Sequence, residues 1–275
     1  GNQMEQNENT TGNGTLKEKA RNMNLIIAAG VVAAFLVYYT VMSLIAPSRK
    51  LNEIRAGFGT EQEGEMIPGS EYFTDSAFVE MMIRKTFLQS RISMAETDSV
   101  YITLNLADST ANLEISGVAV HTAKISSLKM SRILRRENDV VISSMLASPM
   151  TIVKDYATIR KEPLMVKIAP KDTSEFKPDV IPDTSDYEPV NYILEMDSGI
   201  RIFVYQETDT IAKDRNSLFY FDLRDRMKSV TGSLWRTLRF KVPEYHPFIK
   251  IRVPKSDAKV IYRAVPRNGQ IAIYR

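Results

Sequence analysis

The chain has 275 residues, 44% hydrophobic and 25% charged, which is the composition of a protein with a packed core. It contains no cysteine, and this excludes disulfides, thiolate metal sites and cysteine nucleophiles together. The net charge of +3 is too small to indicate nucleic acid as a partner.

Residues 1–22 are rich in Asn, Gln, Glu, Thr and Gly and nearly devoid of large apolar side chains. Such a segment buries too little surface to offset its ordering entropy, so it is predicted to be a disordered tail on the cytoplasmic side. Residues 23–46 form an uncharged run of 24 positions centred on Leu25, Val31 and Val37. As a helix this run would be about 36 Å long, enough to cross a hydrocarbon layer of about 30 Å with some tilt. It exceeds the core of a signal peptide, and Pro47 directly after Ala46 suits no cleavage site, so the run reads as an uncleaved transmembrane anchor. Pro47 is read as the end of this helix, because proline disfavours helical geometry in the residue before it. Lys17, Lys19 and Arg21 precede the run and Arg49, Lys50 and Arg55 follow it, so the charge bias is nearly balanced. A short polar tail before a large downstream domain argues for the N-terminus inside.

Residues 47–71 contain Gly57, Gly59, Gly64 and Gly69 and are predicted to be a tether, with the folded domain covering 72–275. Within 75–91, Phe78, Val79, Met82, Ile83 and Phe87 recur at helical spacing. Residues 101–106 alternate, with Ile102, Leu104 and Leu106 on one side. Asp108, Ser109 and Asn112 read as the turn before a strand at 113–115, and Gly117 as the turn before Val118 and Val120.

A second alternating block spans 153–169. The loop 171–189 follows, with Pro178, Pro182, Pro189 and six acids; their spacing fits no EF-hand, so they read as a solvated face, and no metal site is expected. Residues 192–196 and 200–205, joined by Asp197-Ser198-Gly199, form the plainest hairpin. Residues 216–230 read as a helix or structured insertion. A strand at 248–253, a helix at 256–264 and a last strand at 270–274 close the chain.

From Arg226 onward there are twelve basic residues against Glu244 and Asp257. Trp235, between basic residues that include Arg236 and Arg239, reads either as a stacking platform for sugars or as a core residue.

The tail carries a recognisable order: Ile251-Arg252-Val253, then Asp257-Ala258 with Ile261-Tyr262, then Val265-Pro266 with Gly269 before the last strand. It resembles the C-terminal end of the L,D-transpeptidase (YkuD-like) catalytic domain. Residues 101–120 and 199–202 resemble that family's opening hairpin and the strand leading to its histidine. The resemblance spans about residues 98–275 and is specific only over the last 25 or so. It implies a mainly β fold with some α for the domain, so that the chain reads as one transmembrane helix followed by an L,D-transpeptidase-like β-sandwich or mixed domain. The family's Ser-His-Gly-Cys-x-Arg motif falls on Pro247, Phe248, Ile249, Lys250 and Arg252, and its upstream His-Gly pair on Phe203 and Val204. Only the arginine is kept. His121 and His246, the two histidines of the chain, lie at neither histidine position.

An amine at 250 attacking a peptide carbonyl would give a stable amide and no turnover. The resemblance therefore implies an enzyme-like domain with no catalytic residue and no cofactor, its emptied cleft filled by aromatic rings. Arg252, Lys250, Trp235 and Arg239 are the candidate ligand-binding residues. The implied setting is a bacterial inner membrane with the domain in the periplasm, and the implied partners are peptidoglycan or another envelope protein, not nucleic acid. An active transpeptidase or hydrolase with atypical residues, and a structural subunit of an envelope complex, are the alternatives.

Overall fold

The computed structural model describes residues 5–63, 76–135, 140–161, 188–207 and 212–275. The acidic loop up to residue 187 and residues 162–169 of the second alternating block lie outside the described residues. The chain divides into two compact units: residues 1–49 with 230–244, and residues 50–229 with 245–275.

The first helix, α1, runs Glu5–Glu63 with Pro47 inside it. Its segment Asn22–Gly57 is long and apolar enough to cross a membrane. The sequence reading of a helix ending at Pro47, flanked by a disordered tail (1–22) and a loose tether (47–71), is corrected over residues 5–22 and 47–63, which are helical; residues 1–4 and 64–71 lie outside the described residues. Nucleating a helix is the costly step, and once the apolar run is helical each added residue gains a hydrogen bond, so the ends extend readily. Proline removes only one of those bonds. Beyond it Leu51 and Ile54 are buried in the core of the second unit, which carries the helix past the break.

In the second unit, α2 (Ser76–Ala95) matches the predicted amphipathic helix. The strands are β1 (Tyr101–Asn105), β2 (Thr110–Ile115), β3 (Val118–Lys124), β4 (Ser127–Met130), β5 (Met150–Ala157), β6 (Asn191–Met196), β7 (Arg201–Gln206), β8 (Phe248–Val253) and β9 (Gln270–Tyr274). The remaining helices are α3 (Val140–Ala147), α4 (Ala212–Leu238) and α5 (Lys255–Ala264). Asn112, read as a turn residue, instead pairs with Thr103 inside β2. The turn lies earlier, where the Asn105 amide donates to Asp108 and Ser109 takes a φ of 54°. Gly117 and Gly199 hold φ of 83° and 78° in their hairpins, the left-handed region that suits glycine.

Among the described residues, the strands form one mixed sheet of nine in the order β3-β2-β1-β9-β5-β6-β7-β8-β4. Its two edge strands, β3 and β4, are consecutive in sequence and separated only by Ile125 and Ser126. Two residues reach under about 10 Å, so the sheet must curl until its edges approach each other. The link is bonded on both sides: Ile125 N–H donates to the Ser109 carbonyl and Ser126 N–H to that of Arg252. β5 forms the bend. Met150 and Thr151 pair with β9, the rest of the strand pairs with β6, and the register shifts between Ile152 and Lys154.

Curling places the inner faces of both halves around one core. Ile102, Leu113 and Ile273 from one half share it with Leu194, Val204 and Ile251 from the other, and α5 adds Ala258, Ile261 and Tyr262. On the outer side, α2 packs Phe87 and Met94 against Tyr101 and Ala272. Buried Glu114 joins α2 to the sheet, accepting from the Arg91 guanidinium (3.0 Å) and the Thr103 hydroxyl (2.6 Å). The folded unit is thus a mixed nine-stranded sheet with helices, the coarse form of the predicted mainly β class.

Candidate functional site

Strand β8 alternates: Ile249, Ile251 and Val253 are buried, while Phe248, Lys250 and Arg252 face outward. β7 lies parallel to it and pairs Phe203 with Lys250, Val204 with Ile251 and Tyr205 with Arg252. The structure therefore brings Phe203, Phe248 and Lys250 together on the outer face. It sends Val204 and Ile249 to the opposite side, into the core. The Pro247 carbonyl accepts from Arg201 N–H and positions the start of β8.

Lys250 is at the centre of this group. Its Nζ donates to the Tyr205 hydroxyl (3.0 Å), which in turn donates to Asp222 Oδ1 (2.7 Å). The ammonium also lies 3.9 Å from Asp222 Oδ2 and 4.5 Å from the Phe203 ring centroid. The Phe203 and Phe248 rings meet edge to face at 6.3 Å. Burial pulls the Lys250 ammonium below the ordinary lysine range, while Asp222 pulls it back and Arg226 and Lys129 push the same way as burial. Burial and the bond to Asp222 push the Tyr205 phenol well above its ordinary value.

Asp222 and its neighbours come from α4. Asp214, Leu218, Phe221, Asp222 and Asp225 recur at helical spacing on one face. Gln206 donates to Asp214 (3.0 Å), and the Arg201 guanidinium binds Asp225 bidentately. Leu218 and Phe221 pack with Ile193, Phe203, Tyr205, Tyr156 and Phe248, and Phe221 stacks on Tyr156 at 5.6 Å. The outer face of β6, β7 and β8 is therefore roofed by residues 212–229. Sequence reading singled out Lys250 and its ring neighbours but missed Tyr205, Asp222 and the roof. The signal was present in the acid–apolar repeat of α4, which looked like any amphipathic helix until its partner strands were known.

Trp235 and Arg239 belong to the first unit, whereas Lys250 and Arg252 belong to the second, so the four candidate ligand residues do not form one described site. Arg239 lies over the Trp235 ring at 4.9 Å. The indole is 59% exposed, which corrects the alternative of a core tryptophan: helix α4 extends to Leu238 and presents this residue outward. His246 Nδ1 lies 3.2 Å from the Gly199 carbonyl oxygen, and His121 Nε2 lies 3.3 Å from Asp257 Oδ1, between β3 and α5.

No family model, curated protein or solved structure matches the chain.

Proposed function

We propose that the chain is a membrane-anchored, catalytically inactive relative of the L,D-transpeptidases that serves as a scaffold or interaction domain in the cell envelope. In this reading α1 anchors it in a bacterial inner membrane and the mixed-sheet domain lies in the periplasm. One observation carries the proposal. Lys250, at the position the resemblance gives to the nucleophile, donates to Tyr205 and pairs with Asp222 of α4, with phenylalanine at both histidine positions. Such a group has no thiolate and no imidazole base. The resemblance in the last 25 residues supplies the kinship, and the apolar segment Asn22–Gly57 supports the anchor.

A second reading, peptidoglycan binding, is favoured by exposed Lys129 on β4 and outward-facing Arg252 on the adjacent β8, cations suited to carboxylates. Co-sedimentation of the detergent-solubilised full chain with purified sacculi separates the two. Scaffolding predicts no retention, and saturable retention lost in Arg252→Ala would establish peptidoglycan binding instead. Incubation with a tetrapeptide donor is expected to give neither crosslinks nor released D-alanine. Either product would overturn the inactive reading.

A further inference from the structure

The end of α4 has a feature that the roof over Lys250 does not explain. Residues 230–244 form one compact unit with the part of α1 before Lys50, and the Phe240 ring sits 6.0 Å from that of Tyr38. Tyr38 lies eight residues before Ala46, the end of the uncharged run, or about 12 Å along a helix. Phe240 is therefore beside the apolar span and not beyond its end, yet it is 84% exposed.

The backbone presents this ring deliberately. Helix α4 stops with Phe240 N–H bonded to the Thr237 carbonyl and Lys241 N–H to that of Arg236, and Phe240 takes a φ of 56° where glycine is usual. A bulky residue in that conformation is strained, and its ring gains nothing from water. Leu234 and Leu238 are four residues apart on one stripe with Trp235 beside them, and all three are exposed. Arg236, Arg239 and Lys241 are interleaved with them; Glu244, the one acid of residues 230–244, pairs with Arg236 at 2.7 Å in an exposed bridge, and both partners remain open to solvent. Apolar and aromatic side chains mixed with cations, next to a span, match the chemistry of the headgroup–acyl boundary of an anionic bilayer.

We infer that residues 230–241 form a second membrane contact, an interfacial segment in which Trp235, Leu238 and Phe240 enter the lipid and the three cations meet anionic headgroups. The inference rests on α1 being the anchor. It assigns Trp235 to lipid, not to sugar, and makes the basic charge of this segment a determinant of lipid preference.

Trp235 is the only tryptophan, so its fluorescence reports this segment alone. The full chain is reconstituted into nanodiscs of phosphatidylglycerol and phosphatidylcholine, with or without lipid brominated at carbons 6 and 7. Bromolipid is expected to quench the emission at least about twofold, while iodide quenches it several-fold less than in the unfolded chain. Strong iodide quenching without bromolipid quenching would overturn the inference, as would protection from both, which would mean protein covers the indole. Reversing Arg236, Arg239 and Lys241 to Glu is expected to halve bromolipid quenching, roughly, in anionic but not zwitterionic discs; unchanged quenching in anionic discs would refute the charge assignment. Carbonate washing of vesicles tests the anchor separately. A chain that resists extraction while Trp235 stays open to iodide keeps the anchor and loses this inference; a chain that is extracted loses both.

Discussion

Phe221→Ala tests whether α4 is a packed roof over Lys250. The ring is 6% exposed, stacks on Tyr156 and fills the space between Ile193, Phe203 and Tyr205. Truncating a buried phenylalanine costs about 3–5 kcal/mol. The back of α4 is largely solvent-exposed, so the helix can settle towards the void, and the lower end, about 3 kcal/mol, applies. Because the ring joins α4 to only one face of the sheet, the loss should appear as local opening. At about 1.4 kcal/mol per tenfold, amide exchange over residues 214–225 should rise by about two decades. The assay is hydrogen exchange read by mass spectrometry on the full chain in nanodiscs. Lys250 should acylate faster with an N-hydroxysuccinimide ester in the same sample. A rise below about threefold over α4, or an equal rise in β1, β2 and β9, would refute the local roof.

Arg91→Ala strips a guanidinium from Glu114, which is 1% exposed, and should cost about 2 kcal/mol by thermal unfolding; the charge is left buried, but Arg91 is itself partly solvated. The double variant with Glu114→Gln should recover part of that loss. Gly269→Ala would place a Cβ 2.6 Å from Val265 Cγ1 and 3.0 Å from the Pro266 carbonyl oxygen, so it should destabilise by about 1–3 kcal/mol in denaturant titrations. Lys250 has a pKa below its unfolded value, so the unfolded chain binds more protons in between and stability rises as the pH climbs towards the ordinary 10.5. Lys161, also depressed by burial, contributes with the same sign. The melting temperature should therefore increase with pH up to about 10, and Lys250→Met should flatten that rise without abolishing it; above about 10 the buried phenols of Tyr192, Tyr205 and Tyr262, raised above their ordinary value, act with the opposite sign and stability falls.

Much of the sheet was legible in the chain. β8, at Phe248–Val253, and β9, at Gln270–Tyr274, stand where apolar alternation puts them, and the β6–β7 hairpin turns on Gly199. Local periodicity suffices there because each strand has one face in a common core. Pro47 misled for the opposite reason: its local preference was outweighed by the burial of Leu51 and Ile54 further along. For the candidate site, the outward direction of Lys250 and Phe203 followed from strand period alone. Their partners did not, because Asp222 is 28 residues before Lys250 and reaches it only after α4 folds over the sheet.

The amino-acid order by itself settled the absence of thiol chemistry, the apolar span, most strand positions and the outward face of β8. These depend on side-chain identity and on periods of two or 3.6 residues, which act over a few neighbours. The folded chain decided that one sheet curls until β3 nears β4, that α4 covers Lys250, and that Phe240 stands beside Tyr38. Those outcomes depend on surfaces from distant segments meeting, a competition among long-range burials that no short window of residues contains.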